Sequence, residues 1–228
     1  MKLLQLGQIS EEAVESLSTS FDNLPATDHD DGRYRLRRYS VIELKTTFQN
    51  AKEEIELAKL KARAFLQGED LNEHQGGISR KFEDLEESTI QSSGFKEICL
   101  NFKEYNNLAV GQEIEVHQMR IQTLDNEQSV LTKNGPWVVT PVSPEGVHQD
   151  GFDCIAMIGI DRHNIKGGNL MVFDREADDM PMLSKSLCAG DMLMLDDSRL
   201  FHDASPIRAI KRRQKGHLDS FVLCAKVS

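Results

Sequence analysis

The chain changes character near its middle. From Gly111 onward, short apolar or alternating runs follow one another: "QEIEVHQMRIQT", "PWVVT", "CIAMIGID", "NLMVFD", "DMLMLDD" and "SFVLCAKV". Gly, Pro, Asn and Asp punctuate them at close spacing, which predicts the short strands and tight turns of an antiparallel sandwich or barrel. The first half is mixed. "SEEAVESLSTSF" sets Val14 and Leu17 at helical spacing behind Ser10, a residue type that caps helix N-termini. "YSVIELKTT" reads as a strand. "NAKEEIELAKLKARAFLQ" has the composition of a helix, but Ile55 and Leu57 alternate with acids, so a hairpin arm is equally open. "EESTIQSSGFKEICLNFKEYNNL" predicts a helix broken at Ser92 to Gly94. No repeat or low-complexity linker divides the chain. The expected class is α+β: N-terminal helices packed on a double-stranded β-helix, or jelly-roll, core. Residues 1–228 are expected to form a single domain, with 1–110 as helical and hairpin support and 111–228 as the core.

Composition narrows the functions more than the fold. A chain of 228 residues can bury one sizeable core, and 28% charged residues with 39% hydrophobic ones place it among globular chains. A net charge of −10 argues against electrostatic binding of nucleic acid. The one basic run, "RAIKRRQK" at 208–215, reads as a solvated loop or a local anion site. Cys99, Cys154, Cys188 and Cys224 are scattered without a CxxC pair, which points to reduced thiols and a cytoplasmic setting. The opening "MKLLQLGQISEEAVESL" has too short an apolar stretch for a signal peptide, and no run has transmembrane length.

The candidate chemistry lies in "PEGVHQDGFD", where His148 and Asp150 stand one residue apart just before the apolar run "CIAMIGI". A second imidazole, His202, follows the apolar run "DMLMLDD". In a jelly roll the two runs can be neighbours, which would bring His148, Asp150 and His202 to one mouth. Two neutral imidazoles and one carboxylate on one face of a metal leave three positions open, the arrangement of non-haem Fe(II) oxygenases. The plainer alternative is a loop cap, a turn residue and a satisfied core histidine. "KGGNLMVFD" offers Gly167 and Gly168 for a tight turn before a strand. In "EIEVHQMRIQT", Val116, Gln118 and Arg120 share one strand face. If that face is interior, Arg120 needs an anionic partner. In the opposite phase, Gln118 and Arg120 meet solvent while His117 and Met119 meet the core.

Several segments together resemble the bacterial Fe(II)/2-oxoglutarate dioxygenases that hydroxylate free L-amino acids, the isoleucine 4-hydroxylase-like group. They are "RLRRYS" (35–40), "GGISRKF" (76–82), "VHQMR" (116–120), "VHQDGFD" (147–153), "GGNLMVF" (167–173) and "FHDASPI" (201–207). The resemblance implies Fe(II) held by His148, Asp150 and His202, with 2-oxoglutarate and O2 as co-substrates. It implies a jelly-roll core, N-terminal segments that wall the site, and a hairpin rather than a helix near Ile55. Arg37, Arg80 and Gly168 become candidates for the substrate. The family usually carries an Arg at the start of the last core strand, with Ser two positions later, for the distal carboxylate of 2-oxoglutarate. Here Ser220 is present but Leu218 stands at the Arg position. Arg120 is the first replacement expected, with Gln118 beside it, then Arg212 and Arg213, then Arg208. Two other readings compete: a jelly-roll hydroxylase of a protein or peptide side chain, and a non-enzymatic cupin-like metal or small-molecule binding protein. The expected partners are a small amino-acid substrate and O2, without nucleic acid or membrane; homodimerisation is left open.

Overall fold

The computed structural model describes residues 3–49, 52–68, 76–124, 139–211 and 213–227. Residues 136–138 of "PWVVT" and Arg212 fall outside them. The chain opens with β1 (Leu4–Gln8), α1 (Glu11–Ser18) and a single 3-10 turn (Thr19–Phe21). β2 (Arg35–Gln49) and β3 (Lys52–Lys59) follow as a hairpin, then α2 (Glu87–Ile90) and α3 (Ser93–Asn106). The second half is β4 (Glu113–Gln122), β5 (Cys154–His163), β6 (Ile165–Gly167), β7 (Asn169–Phe173) and β8 (Leu183–Ser186). It ends with β9 (Asp191–Asp196), β10 (Phe201–Ala204), β11 (Ile207–Ala209) and β12 (His217–Ala225).

Seven strands form one sheet in the order β1-β9-β5-β12-β4-β2-β3, facing a three-stranded sheet β10-β7-β8 and the pair β11-β6. The ladders between named strands are antiparallel. This mostly-β arrangement with few helices is that of a jelly roll. The segment around Ile55 is a strand, with Ile55 opposite Thr46, so its alternation with acids outweighs its helix-like composition.

Helix limits follow local chemistry. The Ser10 hydroxyl accepts from the Ala13 N–H at 3.1 Å and starts α1. Ser92 does the same for Phe95 and starts α3, so the break falls at Ser92. Asn107, with φ 52°, ends α3 in the left-handed region. Leu17, Phe95, Ile98 and Phe102 share one buried cluster with Ile158 and Phe221 of the large sheet. Phe221 meets Phe21 and Phe95 edge-on, with ring centroids 5.2 and 6.1 Å apart. The other face of the sheet supplies Ile155, Leu193 and Leu195, which pack on Leu170 and Val172 of the small sheet.

The phase of β4 is the reverse of the expectation built on Arg120. Val116 packs with the helix-side core, and Gln118, on the same face, is fully buried there. The Gln118 amide donates to the Ser20 carbonyl and hydroxyl at 3.1 and 2.7 Å. Arg120 pairs in register with Asp219 and grips it bidentately, both N–O distances being 2.7 Å. The carboxylate that Arg120 required is therefore the chain's own. His117, Met119 and Ile121 take the inner face.

Candidate metal centre and cavity

A cavity of about 130 Å³ lies between the two sheets. Strands β4, β5 and β12 floor it with His117, Met119, Met157, Gly159, Leu218 and Ser220. The small sheet contributes Leu170 and His202, and N-terminal segments add Arg35, Arg37, Phe65, Gln67 and Arg80. Segment 142–150 brings Glu145, His148 and Asp150.

The His148 and His202 backbones form an isolated bridge, with N–H to carbonyl distances of 3.0 and 2.9 Å in the two directions. That bridge sets their rings 4.4 Å apart. Asp150 points between them: one carboxylate oxygen is 3.5 Å from His148 Nε2, the other 3.6 Å from His202 Nε2. One donor atom from each residue falls within 4.8 Å of the others. Metal–ligand bonds of about 2 Å place neighbouring donors about 3 Å apart, so a small contraction closes this set on one cation. The His148 Nδ1–H donates to the Gly146 carbonyl at 2.8 Å, which turns the Nε2 lone pair inward. The donor set, with two neutral imidazoles and one carboxylate, fits Fe(II).

The surroundings prepare that set for a dication. Burial alone would lower His148, but its bond to Asp150 and that carboxylate's charge raise it to about 9. Burial would raise Asp150, yet the same histidines hold it well below the usual carboxylate range. Without metal, a proton thus occupies the place where a cation would sit. Burial, then the His148 charge, lowers His202 to about 4. Asp197 holds the whole loop, its carboxylate accepting from the N–H groups of Asp150, Gly151 and Phe152 at 2.9–3.2 Å. Burial and the charge of Asp150 raise Asp197 to about 7. Gln67 donates to Asp150 Oδ1 at 3.1 Å and accepts from Arg80 at 2.7 Å.

The cavity is rich in guanidinium groups. Arg35 is held by Asp31 at 3.2 Å and Glu145 at 3.4 Å. Arg37 is 6% exposed, and no carboxylate among the described residues bonds it; its guanidinium lies 5.0 Å from the Phe82 ring centroid. Burial first, and then the charge of Arg35, pulls it down to about 9. Burial, with Arg37, pushes His117 well below the usual imidazole range, so that ring is neutral.

Of the residues singled out from sequence, the cavity joins His148, Asp150, His202, Arg37, Arg80, Gly168, Ser220 and Leu218. Gln118 and Arg120 lie on the far face of the sheet, and Arg213 is exposed on the loop before β12. Arg208 lines a separate outer depression. Nothing in the sequence marked Arg35, Gln67, Glu145 and Asp197 as site residues, and His117 entered only as a core residue in the alternative strand phase. Asp197 sits in the quoted "DMLMLDD" and Arg35 in "RLRRYS", but nothing in either string marks the side chain as inward. A second cluster, Asp161, His217 and Asp219, also has metal-like spacing. Arg120 already occupies both oxygens of Asp219, so this group is an ion-pair network.

Comparison with known proteins gives the same class. The family model for 2OG-Fe dioxygenases matches residues 18–224, so the chain belongs to that family. Its members are oxygenases that use Fe(II) and 2-oxoglutarate. Among solved structures, a bsmA homologue from Methylobium petroleophilum PM1 is 25% identical with a TM-score of 0.72, covering 95% of this chain and 81% of its own. IDO from Bacillus thuringiensis is 14% identical with a TM-score of 0.66, covering 98% and 90%. The Fe(II)/(alpha)ketoglutarate-dependent dioxygenase TqaL is 12% identical with a TM-score of 0.63, covering 96% and 76%. The last two likenesses concern the fold. No curated protein matches the chain by sequence. No helix among the described residues is long and apolar enough to cross a membrane.

Proposed function

We propose that the protein hydroxylates an sp3 carbon of a free L-amino acid or a similarly small amino-acid-derived molecule, within a single domain. His148, Asp150 and His202 hold the Fe(II). With 2-oxoglutarate and O2, that centre supplies oxidation of a C–H bond to an alcohol, with succinate and CO2 released. The chain's own residues bind, orient and keep water out. Gln67 and Arg80 fix the direction of Asp150 through their relay. Asp197 keeps the 150–152 backbone in place. Phe65, Val142 and Leu187 supply an apolar wall that strengthens charge contacts inside the cavity. Arg37 takes the α-carboxylate of the substrate, with Arg80 adding positive potential and Gly168 leaving room at the opposite wall.

The observation that carries this reading is Arg37, a buried guanidinium lining the same cavity as the candidate metal ligands, to which no carboxylate among the described residues is bonded. A buried unpaired cation is costly, and a bound carboxylate removes that cost. A peptide or protein substrate calls for an open groove, whereas the cavity is small, about 130 Å³. The test is succinate release with Fe(II) and 2-oxoglutarate, screened first against a pool of free amino acids and then against peptides. Turnover stimulated by free amino acids supports the proposal; stimulation by peptides alone rejects it. In the same assay, Arg37→Ala should raise KM for the amino acid about ten- to a hundredfold, and Arg37→Lys should recover part of that.

A further inference from the structure

The basic run at 208–215 begins beside a second depression, of about 570 Å³, that is separate from the metal cavity. The two are back to back at one turn: Gly167 lines the depression and Gly168 lines the cavity. Three side chains of the depression are cations, Arg162, Lys166 and Arg208, and no acid lines it among the described residues. In a chain whose 37 acidic residues outnumber 27 Lys and Arg, an acid-free hollow with three cations is not the average surface.

The strand register forces two of these charges together. Lys166 on β6 stands directly opposite Arg208 on β11, and both face the depression. Opposed residues have Cβ atoms about 4.5–5.5 Å apart, and like charges in that position repel. The neighbouring pair holds the register in place. Gly167 has φ 91° and lies opposite Ile207, which is fully buried; a Cβ on Gly167 would stand 2.1 Å from the Pro206 carbonyl. Ile207 also bridges Thr140 on its other side. The two cations therefore cannot part by a slip of the ladder.

Arg162 reaches the same hollow from β5. Its guanidinium donates to the carbonyls of Gly167 and Gly168, which fixes its plane. No carboxylate among the described residues pairs with it, and burial pulls it below its usual range with no acid to offset that. Two of its five N–H groups serve the turn, so three are left for an anion. Lys166 is exposed and forms no ion pair among the described residues. Asn169 accepts from the Ser186 hydroxyl through Oδ1, which leaves its amide N–H groups as neutral donors on the rim. Donors without an acid suit a ligand with more than one negative charge and several acceptor oxygens. A phosphate group has both, and it matches the guanidinium fork. The volume leaves room for a small organic body as well.

We infer that this depression binds the phosphate group of inorganic phosphate or of a small phosphomonoester, with Arg162 and Lys166 as donors and Arg208 across the ladder. Calorimetric titration of the full chain with inorganic phosphate and with glycerol phosphate tests it. The wild type should bind at least one of them with a Kd of about 1 mM or tighter, and more weakly as salt is added. The tighter of the two identifies the source. Arg162→Gln, which keeps a donor for the turn, should weaken binding about tenfold or more. Lys166→Gln changes an exposed side chain that folding does not require, and should weaken it about two- to fivefold. Arg37→Ala, in the metal cavity, should leave it within about twofold. Absence of binding by both probes at about ten times that concentration would overturn the inference. So would full binding in both Arg162→Gln and Lys166→Gln. Loss in Arg37→Ala with full binding in Lys166→Gln would place the anion in the cavity and overturn it too.

Discussion

Glu145 illustrates how one buried residue couples the N-terminal strand to the candidate metal loop. Burial alone would raise its carboxyl, but Arg35, then His148, pull it down to about 2. Its side chain is only 7% exposed, so solvent screens the pair little. The folded value is depressed below the unfolded one of about 4.3, so the stabilisation is present above that value. It is lost as pH falls through about 2. Between pH 5 and pH 3 the loss amounts to about 2 kcal/mol. Urea unfolding of metal-free Glu145→Gln at both pH values should therefore show a change smaller by that amount than the wild type. An identical change in the two proteins would mean that Arg35 does not hold this carboxylate.

At the scale of elements, the closest helix contact depends on a missing side chain. A Cβ on Gly94 would stand 2.4 Å from both the Ala13 carbonyl and Ser16 Oγ, and 2.9 Å from Leu17 Cγ. The Gly94 N–H also donates to Ser16 Oγ at 3.0 Å, tying the first turn of α3 to α1. In an exposed helix interior Gly→Ala would stabilise by about 1 kcal/mol. Here backbone stands in the way, and overpacking of this kind costs about 1–3 kcal/mol. Gly94→Ala should therefore lower Tm by several degrees in a scanning calorimeter; a rise would show that α1 yields freely. The elements differ in how far the sequence revealed them. Ser10 announced the start of α1, the break expected at Ser92 to Gly94 is where α2 gives way to α3, and the alternation of Ile55 and Leu57 with acids was real strand signal. The phase of β4 was illegible because both of its faces are buried: His117, Gln118 and Met119 are all at most 8% exposed. Polarity cannot tell two buried faces apart when Ser20 accepts from the Gln118 amide and Asp219 pairs with Arg120. β5 also bulges at Ile160, where Asp219 and Ser220 of β12 stand opposite Asp161 and Gly159, and this was hidden for a related reason. "CIAMIGID" reads as a continuous apolar run, and the register shift exists only relative to β12. The HxD spacing could be read directly, whereas Arg37 and Asp197 gained meaning only once distant segments met.

The whole molecule carries a net charge of −10, yet its cavity gathers Arg35, Arg37 and Arg80 around a two-histidine, one-carboxylate set. Anions are thus attracted to the interior, which suits carboxylates small enough to enter. The same organisation ties metal binding to folding. His148 and Asp150 precede β5, and His202 lies on β10, 52 residues after Asp150 in the chain numbering. The unfolded chain cannot hold these donors together, so a cation binds the native state and stabilises it by mass action. At a free metal concentration a hundredfold above Kd the gain is about 2.7 kcal/mol. For a domain of this size that corresponds to a Tm rise of about 5–10 °C. Mn(II), which resists oxidation in air, should produce this rise, and a chelator should reverse it. His202→Ala should abolish the rise, whereas its metal-free Tm should fall only modestly, because His202 Nδ1 has no hydrogen bond to lose. A full Mn(II)-induced rise in His202→Ala would move the metal away from this set of ligands. The acid–histidine cluster at Asp161 and His217 would then be the next place to look, by repeating the titration in His217→Ala.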